Sequence, residues 1–178
     1  MITSLGIDPS ISGTGLVALR QSKFNYPDLV LEREITAPKG VLGLERVKLI
    51  ALEIMGAIHE LKPDVIVVEG YSLHMGHASS VVQLVELGGI LRFLMMLDGL
   101  KWLDPRASVL KKFVTGKGTA QKDQMMMWVL KRWGHTSASN NTADAYGLAA
   151  IGLASMNRLH GISKEMLSLS AQLPLRCN

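Results

Sequence analysis

The feature that most constrains the fold is a run of four branched apolar residues, Val65-Ile66-Val67-Val68, between Pro63 and Gly70. A strand exposed on one face alternates apolar and polar residues, whereas an unbroken apolar run is typical of a strand buried on both faces. Such a strand needs a helical layer on each side of its sheet. The run therefore predicts an α/β protein with a central buried strand.

The segments around this run complete the pattern. Residues 2–8, 13–19 and 29–37 are predicted as antiparallel strands, followed by an amphipathic helix at residues 41–60, where apolar residues recur every three or four positions. Beyond residues 65–68 we expect a helix at 79–97, a short strand at 101–103, a helix with Pro105 in its first turn, and helices at 120–133 and 142–156. This order predicts a mixed five-stranded sheet with helices on both faces, and no linker divides the chain.

The composition fits one globular domain and adds a local charge signal. The 178 residues are 48% hydrophobic, which is enough for a sizeable core. The net charge is only +4, but residues 92–132 contain nine Lys or Arg against three Asp, which gives this segment about +6. A basic stripe is typical of a phosphate-binding face, with a solvated surface as the alternative interpretation.

Cysteine usage and hydropathy favour the cytoplasm. The one cysteine, Cys177, has no partner for an intrachain disulfide, which fits a reducing compartment. Asp8 interrupts the first apolar run, so we expect no signal peptide. The longest apolar stretch, residues 81–97, contains Glu86 and Arg92, so no membrane span is expected there.

Three carboxylates lie at the boundaries of predicted elements. Asp8 ends the first strand, Glu69 directly follows residues 65–68, and Asp144 lies in the opening turn of the last helix. Carboxylate oxygens are the ligands that Mg²⁺ prefers, and a charge after four apolar residues is costly unless it meets a cation or water. Each of two acids has a structural alternative, Asp8 as a turn-forming Asp-Pro and Asp144 as a complement to the helix dipole. Together the three predict a shared magnesium site.

The residues around these acids resemble those of the RuvC Holliday-junction resolvases, especially the phage-type members. The matching stretches are GIDPS with the following Thr14-Gly15, VVEG at residues 67–70 and TADAYGLA at residues 142–149, and the likeness runs from Ile2 to about Met156. The resemblance implies an RNase H-like nuclease domain at residues 1–158 and a C-terminal tail at residues 159–178. It further implies a homodimeric endonuclease that nicks symmetric strands of four-way DNA with Mg²⁺, for which Mn²⁺ substitutes. The compartment would be a bacterial or phage-infected host cytoplasm.

The same resemblance assigns roles to the acids and exposes one departure. Asp8, Glu69 and Asp144 would hold the metal, and Lys122 would stabilise charge at the cleaved phosphate. The family usually has a fourth acid about three residues before the last one, where this chain has Asn141. An amide oxygen supplies a ligand without the charge, so Asn141→Asp is expected to lower the magnesium requirement. Alternatively Asn141 only caps the helix, and Asp123 is another candidate for the missing acid.

Six residues are predicted to contact DNA: Lys111, Lys112, Lys117, Lys122, Tyr71 and Leu73. The lysines flank the glycine loop at residues 115–119, and phosphate contacts of this kind fix position without reading sequence. Under the resemblance, Lys111 and Lys122 hold the backbone of the cleaved strand. Tyr71 or Leu73 is the candidate for a side chain that wedges between unstacked bases. His74 and His77 have no third ligand nearby, so no zinc site is expected.

The helix predicted at residues 79–97 is apolar on more than one face. One apolar stripe is enough for burial within a domain, so the second face predicts a homodimer interface, with a deeply buried core helix as the alternative. Two other functions stay open at this point. One is a general RNase H-like nuclease, and the other is a non-catalytic module that binds structured DNA.

Overall fold

The computed structural model describes residues 1–22, 26–71 and 78–176, with the backbone alone described at residues 78–80 and 122. These residues form a mixed sheet and a set of helices on its two faces. The strands are β1 (Thr3–Asp8), β2 (Thr14–Arg20), β3 (Asp28–Ile35), β4 (Val65–Val68), β5 (Trp102–Leu103) and β6 (Leu175–Arg176). The helices are α1 (Gly43–Leu61), α2 (Ala78–Leu97), α3 (Ala107–Thr115), α4 (Lys122–Trp133), α5 (Asn140–Ser155) and α6 (Lys164–Ala171).

The sheet has the strand order β3-β2-β1-β4-β5-β6, so β1 and β4 lie at its centre. Strands β1, β2 and β3 are antiparallel neighbours, β4 and β5 run parallel to β1, and β6 is antiparallel to β5. Helices α1 and α2 pack on one face, and α3, α4, α5 and α6 form the core on the other. The predicted mixed sheet with helices on both faces is confirmed. The sheet has six strands in the described residues rather than five, because the end of the tail pairs with β5.

The central strand β4 shows why the sequence requires two helical layers. Its four residues are all buried. Ile66 and Val68 belong to the core beneath α1 and α2, whereas Val65 and Val67 belong to the core beneath α5. Burial of each branched side chain contributes about 1.5–3 kcal/mol. Both helical layers are therefore stabilised by the same short strand.

Helix α5 approaches β1 and β2 at two glycines. A Cβ at Gly6 of β1 would overlap the carbonyl oxygen of Ala145, and a Cβ at Gly15 of β2 would overlap the carbonyl oxygen of Asn141. No side chain therefore separates the helix backbone from the strands at these points. Close packing of this kind fixes the first turns of α5 relative to the end of β1.

Two helix starts differ from the predicted ones. Helix α3 begins at Ala107 with Arg106 as its N-cap, so Pro105 precedes the helix instead of lying in its first turn. Helix α5 begins two residues before the predicted start, because the side chain of Ser139 accepts a hydrogen bond from the Thr142 N–H and caps the helix there. The interpretation of Asn141 as the cap is therefore wrong.

The segment after residue 158 forms two elements that the sequence did not predict. Helix α6 packs on the α5 face, where Met166 is buried. Strand β6 pairs with β5, and Arg176 Nε donates a hydrogen bond to Asp104 Oδ1 at 3.0 Å. The tail residues that the structure describes are thus attached to both the core and the sheet edge.

Helix α2 has a buried face and an exposed apolar face. Leu87, Leu91 and Met95 are fully buried in the core beneath α1 and α2, whereas the side chains of Val85 and Phe93 are exposed. The alternative of a deeply buried core helix is therefore wrong. Within the ranges described above, no helix combines the length and the apolar character needed to cross a membrane.

The contact between α5 and β1 predicts a large penalty for a side chain at Gly6. We expect Gly6→Ala to lower the free energy of unfolding by about 3 kcal/mol, because its Cβ would overlap backbone atoms that cannot rotate away. The matched control is Gly56→Ala on α1, where a Cβ meets nothing within 4 Å. There the higher helix propensity of Ala should stabilise the protein by about 0.5–1 kcal/mol. Urea denaturation followed by circular dichroism measures both changes, and similar values for the two variants would contradict the packing described.

Candidate metal-binding active site

Two of the predicted acids are neighbours at the ends of parallel strands. Asp8 is the last residue of β1 and is buried, with 7% of its surface exposed. Glu69 follows β4, and its backbone N–H donates to the carbonyl oxygen of Ile7 at 3.0 Å. Since Ile7 pairs with Val68 in the parallel ladder, the next residues along each strand, Asp8 and Glu69, stand side by side.

Both acids lie on the face of the sheet that α5 covers. Gly6 lies against α5, and successive residues of a strand alternate between faces, so Asp8 is on the same face as Gly6. On β4, Val65 and Val67 pack in the α5 core, and alternation places Glu69 with them. The strands therefore deliver two carboxylates to one end and one face of the sheet.

Helix α5 brings the third acid over the same strand end. The carbonyl of Asn141 lies on Gly15, which is the β2 partner of Asp8, and the carbonyl of Ala145 lies on Gly6. Asp144 stands between these two contacts along the helix. Its backbone is therefore held above the end of β1. The predicted acids are thus carried by three different elements, with the backbones of Asp8, Glu69 and Asp144 at this end of the sheet.

The donor chemistry of this place fits a divalent cation. The side chains offer carboxylate oxygens, which are the ligands of hard ions such as Mg²⁺, Mn²⁺ and Ca²⁺. Across residues 1–22, 26–71 and 78–176, however, no three acidic, His or Cys side chains are close enough together to hold one ion in common. The three elements bring the backbones of the acids to the same end of the sheet, and the described side chains do not enclose an ion there.

Asn141 makes a contact that the sequence did not reveal. Its side-chain Nδ2 donates a hydrogen bond to Glu34 Oε1 at 2.9 Å. Glu34 lies on β3 opposite Gly15, which in turn lies opposite Asp8, so Glu34 belongs to the same row across the sheet as the acids. The signal for Glu34 in the sequence is weak: it is the alternation of two glutamates in residues 31–35, which places both on one face.

The second of these glutamates, Glu32, ties the loop before α5 to the sheet. Glu32 Oε1 accepts a hydrogen bond from the Ala138 N–H at 2.9 Å, and Glu32 Oε2 lies 3.1 Å from His135 Nε2. The ring of His135 stacks on Tyr146 of α5 with centroids 4.8 Å apart. Burial, together with the charge of Glu32, raises the pKa of the Tyr146 phenol, which therefore stays neutral. Strand β3 thus holds both the approach to α5 and its first turn.

A side chain of α2 holds the segment that carries Glu69. Arg92 Nη2 donates to the carbonyl oxygen of Glu69 at 2.9 Å, and Nη1 donates to the carbonyl oxygen of Gly88 at 3.1 Å. The guanidinium group lies 4.5 Å from the centre of the Tyr71 ring, which is a cation–π distance. A Cβ at Gly88 would lie 2.7 Å from Tyr71 Cε1, so this glycine leaves room for the ring. Helix α2 therefore positions the backbone on which Glu69 is mounted.

The predicted DNA-contacting lysines lie on α3, in the loop that follows it and at the start of α4. Lys111 is partly buried on α3, Lys117 is exposed in the following loop, and Lys112 Nζ lies 2.9 Å from Glu165 Oε1 of α6. Thr115 Oγ1 accepts a hydrogen bond from the Lys117 N–H at 3.0 Å and so shapes this loop. Lys122 begins α4, but its side chain lies outside what the structure describes.

The other predicted residues of this group are only partly described. Tyr71 is 45% exposed, and its ring lies against the Arg92 guanidinium group. Leu73, His74 and His77 fall outside the described residues. Asp123, the alternative fourth acid, is an exposed residue in the first turn of α4. The structure thus adds Glu34, rather than Asp123, to the row of residues at the strand ends.

Comparisons with known proteins place these residues in a family context. The family model described as crossover junction endodeoxyribonuclease RuvC matches residues 4–153. The RuvC of Chlorobium phaeobacteroides is 30% identical over 148 residues, which cover 82% of this chain and 78% of that protein. The RuvC of Neorickettsia sennetsu is 30% identical over 151 residues, which cover 83% of this chain and 89% of that protein.

Solved structures agree on the fold. The structure of Thermus thermophilus RuvC aligns with a TM-score of 0.70 at 19% identity and covers 89% of this chain and 99% of that one. The same protein in complex with a Holliday junction substrate aligns with a TM-score of 0.71 at 17% identity, over 90% of this chain and 99% of that one. The predicted RNase H-like fold is confirmed by these matches.

The contacts of Arg92 predict a measurable role in holding the Glu69 segment. We expect Arg92→Ala to lower the free energy of unfolding by about 2 kcal/mol, because two charge-assisted hydrogen bonds to carbonyl groups are lost. The matched control is Arg33→Ala, which removes only an exposed ion pair to Glu53 with an N–O distance of 3.6 Å and should cost less than about 1 kcal/mol. Urea denaturation compares the two. An equal cost for both variants would show that Arg92 does not hold this segment.

Proposed function

The chain belongs to the RuvC family of crossover junction endodeoxyribonucleases, and we propose that it resolves four-way DNA junctions by metal-dependent hydrolysis at Asp8, Glu69 and Asp144. The matched region, residues 4–153, contains all three acids. The observation that supports the assignment of these residues is their convergence from β1, β4 and α5 at one end of the sheet. Proteins of this family cut phosphodiester bonds, and acids collected at one point provide what that chemistry requires.

We propose Mg²⁺ as the ion, with Mn²⁺ able to replace it. When bound, such an ion lowers the pKa of a water molecule and neutralises charge on the leaving oxygen. Asp8 is the central ligand, because it lies between Glu69 on the adjacent strand and Asp144 on the helix above. The hydrogen bond from Arg92 holds the backbone of Glu69. The side chain of Glu69 then only has to turn towards the ion.

The basic residues of α3 and its following loop bind the DNA backbone in this proposal. Lys111, Lys112, Lys117 and Lys122 supply positive charge on the α5 side of the sheet, where the acids also lie. Phosphate neutralisation by lysines releases counterions and so gives affinity without sequence preference. Tyr71 borders the site next to Glu69, where an exposed aromatic edge can meet unstacked bases.

A homodimer completes the function, with the exposed face of α2 as its interface. Val82, Val85, Phe93 and Met96 follow one another at spacings of three, eight and three positions and form one exposed apolar stripe. Obligate interfaces resemble a protein core cut in half, and this stripe has that character. Two active sites related by a two-fold axis suit a four-way junction that has the same symmetry.

We place this activity in the cytoplasm, where the DNA substrate is found.

The proposed function predicts a loss of cleavage without a loss of binding. With a labelled four-way junction and Mg²⁺ or Mn²⁺, the wild-type protein should nick symmetric strands, and EDTA should prevent it. Asp8→Asn and Glu69→Gln should abolish cleavage because each removes a ligand charge, while gel-shift affinity should persist because the lysines are intact. Glu53→Gln is the control, since Glu53 lies on α1 across the sheet. Full cleavage by Asp8→Asn would refute the site, and binding without any wild-type cleavage would favour the non-catalytic DNA-binding module.

The proposed interface predicts a change of oligomeric state. Light scattering at micromolar concentration should show a dimer for the wild type and a monomer for Phe93→Glu, because each protomer would bury a carboxylate in the apolar interface. Leu130→Glu on α4 is the control: Leu130 is 49% exposed against 54% for Phe93, so folding is perturbed equally little by either change. A wild type that stays monomeric with and without junction DNA would exclude this interface.

A further inference from the structure

The contact between Asn141 and Glu34 joins the position where the fourth acid of the family is absent to an acid outside the three predicted ligands. Glu34 is the β3 member of the row that runs through Gly15 to Asp8. Asn141 lies directly above Gly15, and its side chain reaches towards β3 to make the 2.9 Å hydrogen bond with Glu34. The contact therefore connects the edge of the proposed metal site to the next strand outward.

The local backbone leaves room for this contact. A Cβ at Gly13 would overlap Glu34 Oε1 and would lie 3.1 Å from Asn141 Nδ2. A Cβ at Gly15 would overlap the backbone of Asn141 itself. The two glycines of the β1–β2 turn region thus accommodate both partners of the hydrogen bond, and any larger residue at either position would displace it.

The hydrogen bond determines which end of the Asn141 amide is available to a cation. A carboxylate only accepts hydrogen bonds, so the amide nitrogen and not the oxygen must face Glu34. The two ends of an amide diverge from the same carbon, so Oδ1 is turned away from Glu34. Without Glu34, the amide can rotate and present either its oxygen, which binds a cation, or its NH₂ group, which repels one.

We propose that Glu34 is a positioning residue that orients the Asn141 amide so that its oxygen serves as the fourth ligand of the metal site. The inference rests on the proposed function, because it assumes that Asp8, Glu69 and Asp144 bind a divalent ion. Glu34 also keeps a negative charge beside position 141, where the family's fourth acid is missing. Where the family has one carboxylate ligand, this chain would have the neutral amide of Asn141 as the ligand, and the charged Glu34 would accept a hydrogen bond from that amide.

The proposal changes what is expected of Asn141→Asp. The new carboxylate would stand next to Glu34 at about the present 2.9 Å contact, where two negative oxygens repel each other. The double variant Glu34→Gln/Asn141→Asp exchanges the amide and the carboxylate. It keeps the net charge and one hydrogen bond, with Gln donating to Asp, and moves the charge onto the ligand. The exchange, rather than the single substitution, should therefore strengthen metal binding.

The test measures Mn²⁺ binding to the full-length protein without DNA, by isothermal titration calorimetry, together with the melting temperature of the metal-free protein. Glu34→Ala should weaken Mn²⁺ binding by roughly tenfold. This is the lower limit of the loss of affinity for residues that hydrogen-bond a metal ligand, and it applies here because Glu34 is exposed. Glu34→Gln retains an acceptor oxygen and should stay closer to wild type. The double variant should bind Mn²⁺ more tightly than wild type. Asn141→Asp alone should melt below both the wild type and the double variant.

Several results would overturn the proposal. Wild-type Mn²⁺ affinity in Glu34→Ala would show that the amide needs no orientation, and equal weakening by Ala and Gln at position 34 would leave only a charge effect. A double variant that binds no better than Asn141→Asp would show that the two positions are not coupled. If Asp8→Asn weakens Mn²⁺ binding and the Glu34 variants do not, this inference alone fails. If the wild type binds no Mn²⁺, the proposed metal site fails as well.

Discussion

The direct contact between the backbone of α5 and the strands β1 and β2 determines the geometry of the rest of the site. It is possible only because Gly6 and Gly15 have no side chains. Through it, the first turns of α5 are placed over the end of β1 at a distance set by backbone atoms rather than by rotatable groups. The backbone of Asp144 is thereby held over the end of β1, whose last residue is Asp8, although the two residues are far apart in sequence. Glu69 is placed separately, by the pairing of β4 with β1.

Much of this arrangement could be predicted from local patterns, and the part that could not depends on strand register. The apolar runs before Asp8 and Glu69 identify both strand ends, since a buried strand and a terminal charge are each visible in a few consecutive residues. The role of Glu34 requires knowing that β3 pairs with β2 so that Glu34 lies opposite Gly15. That pairing includes a register shift at Ala18 and Leu19, which no local pattern reveals. The elements α6 and β6 were missed because they are too short to show a clear period.

Helix α2 connects the proposed interface to the proposed site within a single turn. Phe93 lies on the exposed apolar stripe, while the preceding residue, Arg92, holds the carbonyl of Glu69 and stacks on Tyr71. A helix is stiff along its axis, so a partner that packs on the stripe also restrains the position of Arg92. A dimer built on the proposed interface would therefore also restrain the segment that carries Glu69.

The charge at the strand ends is distributed between position 141 on α5 and Glu34 on β3. A fourth carboxylate at position 141 would stand within the first turn of α5 beside Asp8 and Asp144, where like charges repel strongly in the metal-free protein. With Asn141 in that position, the nearest additional charge is on Glu34, which is exposed to solvent and is therefore better screened. Negative charge is retained at this end of the sheet, while the repulsion between position 141 and the neighbouring acids is smaller. In the proposed metal site the chain would thus have one charged ligand fewer than the four-acid pattern, and less repulsion between α5 and β1 in the metal-free protein.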